Sequence, residues 1–251
     1  MIKLDHVVLA SPEQMEFIIE GMRNPMNSWD KSDSETWVDA FNNGGHSMPT
    51  ATAVDENISI FALGPNDHEL MQRLANTGTD HRKFMRMIPV YVRITAPLYW
   101  WKEFDTYKVG TVANSCSTMH KIAEKEFTLD DFSCEHLIDD RIYAYPLGRG
   151  WRGISPIDTL NSTIQLLNNA RQQYFAHAIE SKQRKDIWWQ MIQLLPSSYN
   201  QTRNVMMNYE VLANIYKSRK NHKLDEWVEF CRWIKTLPYQ ELITGEDNIS
   251  N

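Results

Sequence analysis

The order of elements predicts an α+β fold in which strands and short helices come first and a nearly all-helical stretch follows. Three observations carry this. Runs at 3–9 and 90–95 have the alternation or the β-branched and aromatic content of strands. From Ser155-Pro156 onward, apolar residues recur at helical spacing over about 156–181, 185–195, 198–219 and 224–236, with Pro196 and Pro238 as punctuation. No internal repeat or low-complexity tract breaks the order, so residues 1–251 read as one domain.

Lys3 to Leu9 alternates weakly and reads as a first strand. Pro12 to Met22 has helical spacing, with Ser11 as N-cap and Pro12 in the first turn. Residues 24–57 are rich in Asn, Ser, Asp and Gly and read as loop, with a short helix at Glu35–Phe41. Asn66 to Gly78 reads as a helix capped by Asn66 or Asp67 and stopped by Gly78. His81 to Met87 follows as a helical turn, then the strand Val90–Thr95, which Ala96-Pro97 ends. Tyr99 to Lys108 reads as an aromatic helix or turn. Residues 109–120 (VGTVANSCSTMH) are small and polar, which suits a loop around a ligand. Residues 130–153 include the cationic stretch YPLGRGWRG, either a lid or a surface loop.

A formal net charge of −6 argues against broad nucleic-acid binding while leaving room for a local basic pocket. Cys116, Cys134 and Cys231 are widely spaced, with no zinc-ligand spacing, so no metal is expected. Sparse, odd thiols suit a reducing cytoplasm. The N-terminus lacks the long apolar run of a signal peptide, and no stretch of about 18 apolar residues calls for a membrane span. A cytoplasmic protein is expected. Trp100-Trp101 and Trp188-Trp189 read as core or interface, and Cys116 as a small packed thiol.

The stretch 198–219 reads as one helix, apolar around almost its whole circumference and therefore buried on both sides. Asn208 and Arg219 break the pattern eleven residues apart, about three turns, on one stripe. Arg203, Glu210 and Lys217 mark the opposite stripe and read as a solvent-facing ion-pair row. An arginine on an apolar helix must meet an anion, either a ligand or a carboxylate.

The segment from Thr79 to Pro97 resembles the flavin-dependent thymidylate synthases. In that family a histidine-led helix precedes a strand ending in Ala-Pro, and the signature RHRxxSxNExSxRY follows. His81 matches the leading histidine and Ala96-Pro97 the strand end. Lys102 and Glu103 fall on a common Arg-Gln. Thr106, Tyr107 and Lys108 fall on RHR, and Asn114, Ser115, Cys116 and Ser117 on NExS. Leu195-Pro196, Asn208-Tyr-Glu-Val-Leu212, Arg219, His222 and Trp227 match the family's Leu-Pro, N-A-R-S-L, Leu-Arg, His and Trp in order. The resemblance covers about residues 66–245.

The resemblance implies a central, mostly antiparallel sheet flanked by helices, with long C-terminal helices. It implies methylation of dUMP to dTMP with methylene-tetrahydrofolate as carbon donor, reduced FAD as hydride donor and NADPH as reductant, in a homotetramer whose sites are shared between subunits. Arg219 would hold and polarise the pyrimidine, and Ser117 would act beside it. Glu103, Asn114 and Ser115 complete the nucleotide site. His81, Lys83, Arg86, Tyr107, Lys108, Asn208, Asn214 and His222 would contact the flavin. A fixed guanidinium suits this chemistry, because uracil C5 becomes nucleophilic only when charge on the carbonyl oxygens is stabilised.

Several cations of the family pattern are replaced: Lys108 is the one cation kept in the RHR triplet, Ser115 stands for the acid of NExS, Met119 for an arginine and Glu210 for the arginine of N-A-R-S-L. Lys102, Lys108, Arg82, Lys83 and residues 149–152 are the candidates to compensate. Two alternatives stay open. Glu103 and Glu210 could pair with an amino-pyrimidine, giving an enzyme that acts on dCMP or forms a hydroxymethyl group. The chain could also be a non-catalytic oligomeric nucleotide-binding protein that has lost the flavin.

Overall fold

Ser11 caps the first helix with both of its available groups. Its Oγ accepts from the Gln14 N–H at 3.2 Å, and the Gln14 side chain accepts from the Ser11 N–H at 2.9 Å. This capping box joins strand β1 (Lys3–Leu9) to helix α1 (Pro12–Arg23), whose Met15, Ile18, Ile19 and Met22 are buried. The structure, a computed structural model, describes residues 1–39, 58–140, 143–147 and 150–246.

Strands β2 (Glu35–Asp39) and β3 (Ile58–Ala62) pair antiparallel, with Trp37 opposite Ile60. Residues 35–39 were expected in a short helix and are a strand. Thr36, Trp37 and Val38 all favour extended backbone, and a partner strand makes use of that preference. Residues 40–57 of the expected loop lie outside the described residues. Helix α2 (Pro65–Thr77) starts from Gly64 rather than Asn66 or Asp67 and stops at Gly78, whose φ of 123° is open to glycine. Asp67 belongs to the first turn and points into a buried polar cluster.

A 3-10 turn at Arg82–Arg86 leads into strand β4 (Pro89–Pro97) and helix α3 (Leu98–Phe104). The polar stretch expected as loop contains strand β5 (Val112–Ser115) and the single turn α4 (Thr118–Lys121). Strands β6 (Tyr143–Leu147) and β7 (Gly150–Ile154) form an antiparallel hairpin within the stretch read as a lid or surface loop; Arg149 of that stretch lies outside the described residues. Helices α5 (Pro156–Ala176) and α6 (Lys182–Leu194) follow, each capped by a serine, Ser155 and Ser181.

The largest correction concerns 198–219. It is not one helix but strand β8 (Asn200–Asn208) followed by helix α7 (Tyr209–Arg219). In β8, Val205 and Met207 are buried while Asn204 is exposed, the period-two pattern of a strand. In α7, Asn214, Lys217 and Ser218 face solvent, so the helix is amphipathic rather than apolar all round. The two stripes read across 203–219 therefore do not exist: Arg203 lies on a strand and Asn208 caps α7. Helices α8 (Asp225–Ile234) and α9 (Glu241–Thr244) complete the chain. A four-stranded sheet has the order β1-β4-β8-β5.

Two compact units can be described separately. The first comprises Met1–Asp5, Arg93–Thr106 and Ala113–Val205; the second comprises His6–Val92, Tyr107–Val112 and Met206–Asn251. In the first, Phe127, Phe132, Leu160, Ile164, Leu167 and Met191 make a buried core under the α5–α6 hairpin. Trp100 and Trp101 are also buried there, Trp100 stacked with Phe104 and Trp101 edge-on to it, whereas Trp189 is 43% exposed and no core residue. Cys116 is exposed, which corrects its reading as a packed thiol. In the second, α1, α2, α7 and α8 bury Met71, Leu212, Ile215, Trp227 and Phe230. No helix among the described residues is long and apolar enough to cross a membrane.

Candidate functional site

Arg219 closes α7 with a half-buried side chain. Its Nε donates to Tyr107 Oη at 3.0 Å. Its guanidinium carbon lies 4.9 Å from the Trp227 ring centroid and 5.8 Å from that of Tyr107. The two rings meet edge-on at 6.0 Å, and His222 packs against Trp227 at 6.4 Å. A guanidinium over an indole gains about 0.5–2 kcal/mol, more as water is excluded. The aromatic pair thus fixes the plane of the fork. His222 Nδ1 accepts from the Leu224 N–H at 3.1 Å, which places the proton of a neutral ring on Nε2.

Asn208 sets where α7 begins. Its Oδ1 accepts from the Val211 N–H at 3.0 Å, so the side chain is buried as an N-cap. Gly110 approaches closely, at a φ of 78°. A Cβ there would stand 2.8 Å from Asn208 Nδ2 and 3.1 Å from Val211 Cγ2. Gly110→Ala therefore combines a strained left-handed backbone with a clash, and an expected loss of about 1–3 kcal/mol is read by chemical denaturation.

Glu210, where the resembling family has an arginine, is held by two arginines from the 3-10 turn. Arg86 reaches it through Nε and through Nη2 at 3.1 Å; Arg82 Nε lies 3.3 Å away. Arg82 Nη2 also donates to Asn214 Oδ1 at 3.3 Å. The Arg86 bond, opposed by burial, holds the Glu210 carboxyl below the usual carboxylate range, and the same contact raises Arg86. Glu210 is therefore an internal counter-ion, not the solvent-facing row read from spacing. Two guanidinium charges against one carboxylate leave one positive charge, as a lone arginine would. Lys83 and Arg86, three apart in a 3-10 turn, share a side. Lys83, His81 and Lys108 are exposed.

The structure places the expected residues in two groups. Arg219, Tyr107, Lys108, Asn208, Asn214, His222, His81, Lys83 and Arg86 belong to the second unit. Glu103, Asn114, Ser115 and Ser117 belong to the first, where Glu103 is half-buried on α3, Asn114 and Ser115 lie exposed on β5, and exposed Ser117 precedes α4. Sequence reasoning missed Gly110 and the part Trp227 plays under Arg219; neither has a periodic signal. It also missed a cavity of about 340 Å³ lined by Leu9, Met15, Phe61, Ile88, Tyr209 and Tyr239, none of them an expected site residue. Among the described residues no group of three His, Cys, Asp or Glu could hold a metal ion.

No protein-family model matches the sequence, and no curated protein matches it. Solved structures do. Thymidylate synthase X from Helicobacter pylori, solved with FAD and dUMP, superposes with a TM-score of 0.57 at 15% identity, over 100% of this chain and 99% of that one. The chain has the thymidylate synthase X fold. A second structure of the Helicobacter pylori protein with FAD and dUMP gives 0.55 at 14% identity, over 98% of each chain. A UMP/dUMP methylase, PolB from Streptomyces cacaoi bound with 5-Br dUMP, gives 0.54 at 13%, over 100% and 97%. Among the described residues, the thymidylate synthase X fold thus extends beyond the 66–245 stretch where motifs were legible, into residues 1–39 and 58–65.

Proposed function

We propose that the chain is a flavin-dependent pyrimidine-nucleotide methylase, in its simplest form converting dUMP to dTMP. Arg219 carries the reading: a half-buried guanidinium whose plane is set by Tyr107 and Trp227 suits a pyrimidine carbonyl whose negative charge grows in the transition state. The two neighbours solved with nucleotide, thymidylate synthase X with dUMP and the UMP/dUMP methylase with 5-Br dUMP, support the substrate class.

The residues present fit FAD. Arg82 and Arg86 hold one carboxylate between them, and exposed Lys83 stands in the same turn, a net positive set suited to a diphosphate. When bound, reduced FAD supplies the hydride that completes the methyl group. Methylene-tetrahydrofolate would supply the carbon, which would exchange its bonds to the folate nitrogens for a bond to C5 and the flavin hydride as the C5 proton leaves; NADPH would reduce the flavin again. Arg219 stabilises the carbonyl oxygen, Ser117 with Asn114 and Ser115 binds the nucleotide, and Lys83, Arg86, Lys108 and His81 bind the flavin phosphates or ring. The assembly is a cytoplasmic homotetramer. Glu210 does not favour dCMP: its carboxylate is engaged by Arg82 and Arg86 and is not offered to an amino-pyrimidine edge.

The test is an absorbance spectrum before and after FAD addition, followed by dUMP-dependent oxidation of reduced FAD. A flavin spectrum and dUMP-dependent oxidation support the proposal. If dUMP shifts the thermal midpoint and FAD does not, the non-catalytic nucleotide-binding alternative stands; if neither shifts it, the stabilisation that ligand linkage requires is missing and the proposal fails.

A further inference from the structure

Ser117 sits between two groups held by one side chain. The Gln201 amide nitrogen donates to Thr118 Oγ1 at 2.8 Å and to the Cys116 carbonyl at 3.3 Å. Ser117 is exposed, and its hydroxyl makes no capping bond to α4. The loop is thus clamped on either side of a hydroxyl that stays outside the clamp.

The clamp is itself fixed. Arg203 Nε donates to Gln201 Oε1 at 2.9 Å, which determines which end of the amide faces the loop. Gln201 and Arg203 are two apart on β8 and project to the same face. Arg203 Nη1 donates to Asp105 Oδ1 at 2.7 Å, and its guanidinium stacks 4.1 Å over the buried Trp101 ring. Trp101 Nε1 closes the arrangement by donating to the Gln201 carbonyl at 2.9 Å. Backbone pairing adds a further tie, Cys116 N–H to the Thr202 carbonyl at 2.9 Å. All of these residues belong to the first unit.

We propose that Gln201 is a positioning residue that presents the Ser117 hydroxyl to the pyrimidine nucleotide, oriented in turn by Arg203 and Asp105. The inference rests on the nucleotide reading above and deepens it. A hydroxyl on a free loop must be ordered at the moment of binding; one on a clamped loop carries that cost in the fold, so affinity gains. Ser117 lies where the resembling family binds nucleotide, but the clamp is argued from distances in this chain alone.

Gln201→Glu separates the two ends of the amide. The carboxylate still accepts from Arg203, and the donor to the loop is lost. Two measurements read it: amide hydrogen exchange over 115–119, and the dUMP dissociation constant by calorimetry, each with Ser117 intact and as Ser117→Ala. The expected result is exchange faster by about tenfold in 115–119 and dUMP binding weakened by about tenfold. In the Ser117→Ala background, Gln201→Glu should weaken dUMP binding no further, and FAD binding should be unchanged throughout. Unchanged exchange, or an equal loss of dUMP affinity without the Ser117 hydroxyl, overturns the proposal. Gln201→Leu, which removes both ends, gives the same discrimination if the carboxylate variant does not fold. If the unsubstituted protein binds no dUMP, the nucleotide reading fails, and the exchange rates alone then decide whether Gln201 holds the loop.

Discussion

Arg219→Ala is expected to lower kcat/KM for dUMP-dependent oxidation of reduced FAD by about 10²–10³-fold, the range seen when a single preorganised donor to a developing oxyanion is removed. That corresponds to about 2.7–4 kcal/mol of transition-state stabilisation. The size follows from preorganisation. The fork is fixed before substrate arrives, by Tyr107 Oη at 3.0 Å and the Trp227 ring at 4.9 Å, so little reorganisation accompanies the chemistry. Arg219→Lys should recover only a small part, because an ammonium keeps the charge and loses the planar fork. Tyr107→Phe leaves the ring under the guanidinium and removes one hydrogen bond, so about tenfold is expected, and its effect should vanish in the Arg219→Ala background. Arg219 also packs on Trp227, a contact worth about 1 kcal/mol, so the midpoint of denaturation is measured alongside turnover. Turnover within about threefold of the parent, with the midpoint of denaturation unmoved, would remove Arg219 from the chemistry.

Where local chemistry and tertiary context agree, the fold was legible. Ser11 before Pro12 announces α1, Gly78 stops α2, and the β-branched run before Ala96-Pro97 announces β4. The failures share a cause. A strand that feeds directly into a helix puts two periodicities end to end, and Val205-Met206-Met207 followed by Val211-Leu212 can be laid on one helical wheel. What separates them is Asn208, a residue read as a polar break and used as an N-cap. Residues 35–39 were read as a short helix because only the pairing with 58–62 decides for a strand, and that pairing is remote in sequence.

The site was legible by residue type and order, not by charge. Arg219, Tyr107, His222 and Trp227 were all named from motif order, and the structure places Tyr107 and Trp227 against the Arg219 guanidinium, with His222 packed on Trp227. Glu210 seemed to subtract a cation from the site. Its contact with Arg82 and Arg86, more than 120 residues away, turns that loss into a displacement of charge from α7 to the 3-10 turn. A single sequence offers no way to see such an exchange, because neither partner is unusual alone. Gln201 was hidden for the same reason. Its role exists only because β8 lies beside β5 in the sheet.

Asp67→Asn is expected to destabilise the protein by about 3–5 kcal/mol, the cost of stranding a buried charge, and so to lower the midpoint by about 10 °C. Asp67 is fully buried, and Arg23, 4% exposed, donates to it through Nε at 2.5 Å. Its second oxygen accepts from Ser32 Oγ, from Ser34 Oγ and N–H, and from the Asp33 N–H, at 2.7–3.1 Å. One carboxylate therefore ties the 32–34 turn to α1 and α2. Asparagine has the same shape, yet it leaves the Arg23 guanidinium without its counter-charge and turns an acceptor into a donor facing other donors. An apolar swap of both Arg23 and Asp67 would not rescue stability, because the turn's hydroxyls and N–H groups would lose their acceptor. Burial raises the Asp67 pKa, and the bonds from Ser34, Ser32 and Arg23 outweigh it, leaving the carboxyl below its ordinary value. A carboxyl depressed in the folded state contributes its full stabilisation above its unfolded pKa of about 3.9, and the contribution is lost as pH falls through the folded value. Stability measured from pH 6 downward should thus decline more steeply in the parent than in Asp67→Asn, the two curves converging at low pH. Parallel curves, or a midpoint change under about 2 °C, would show that the cluster is not what secures this end of the second unit.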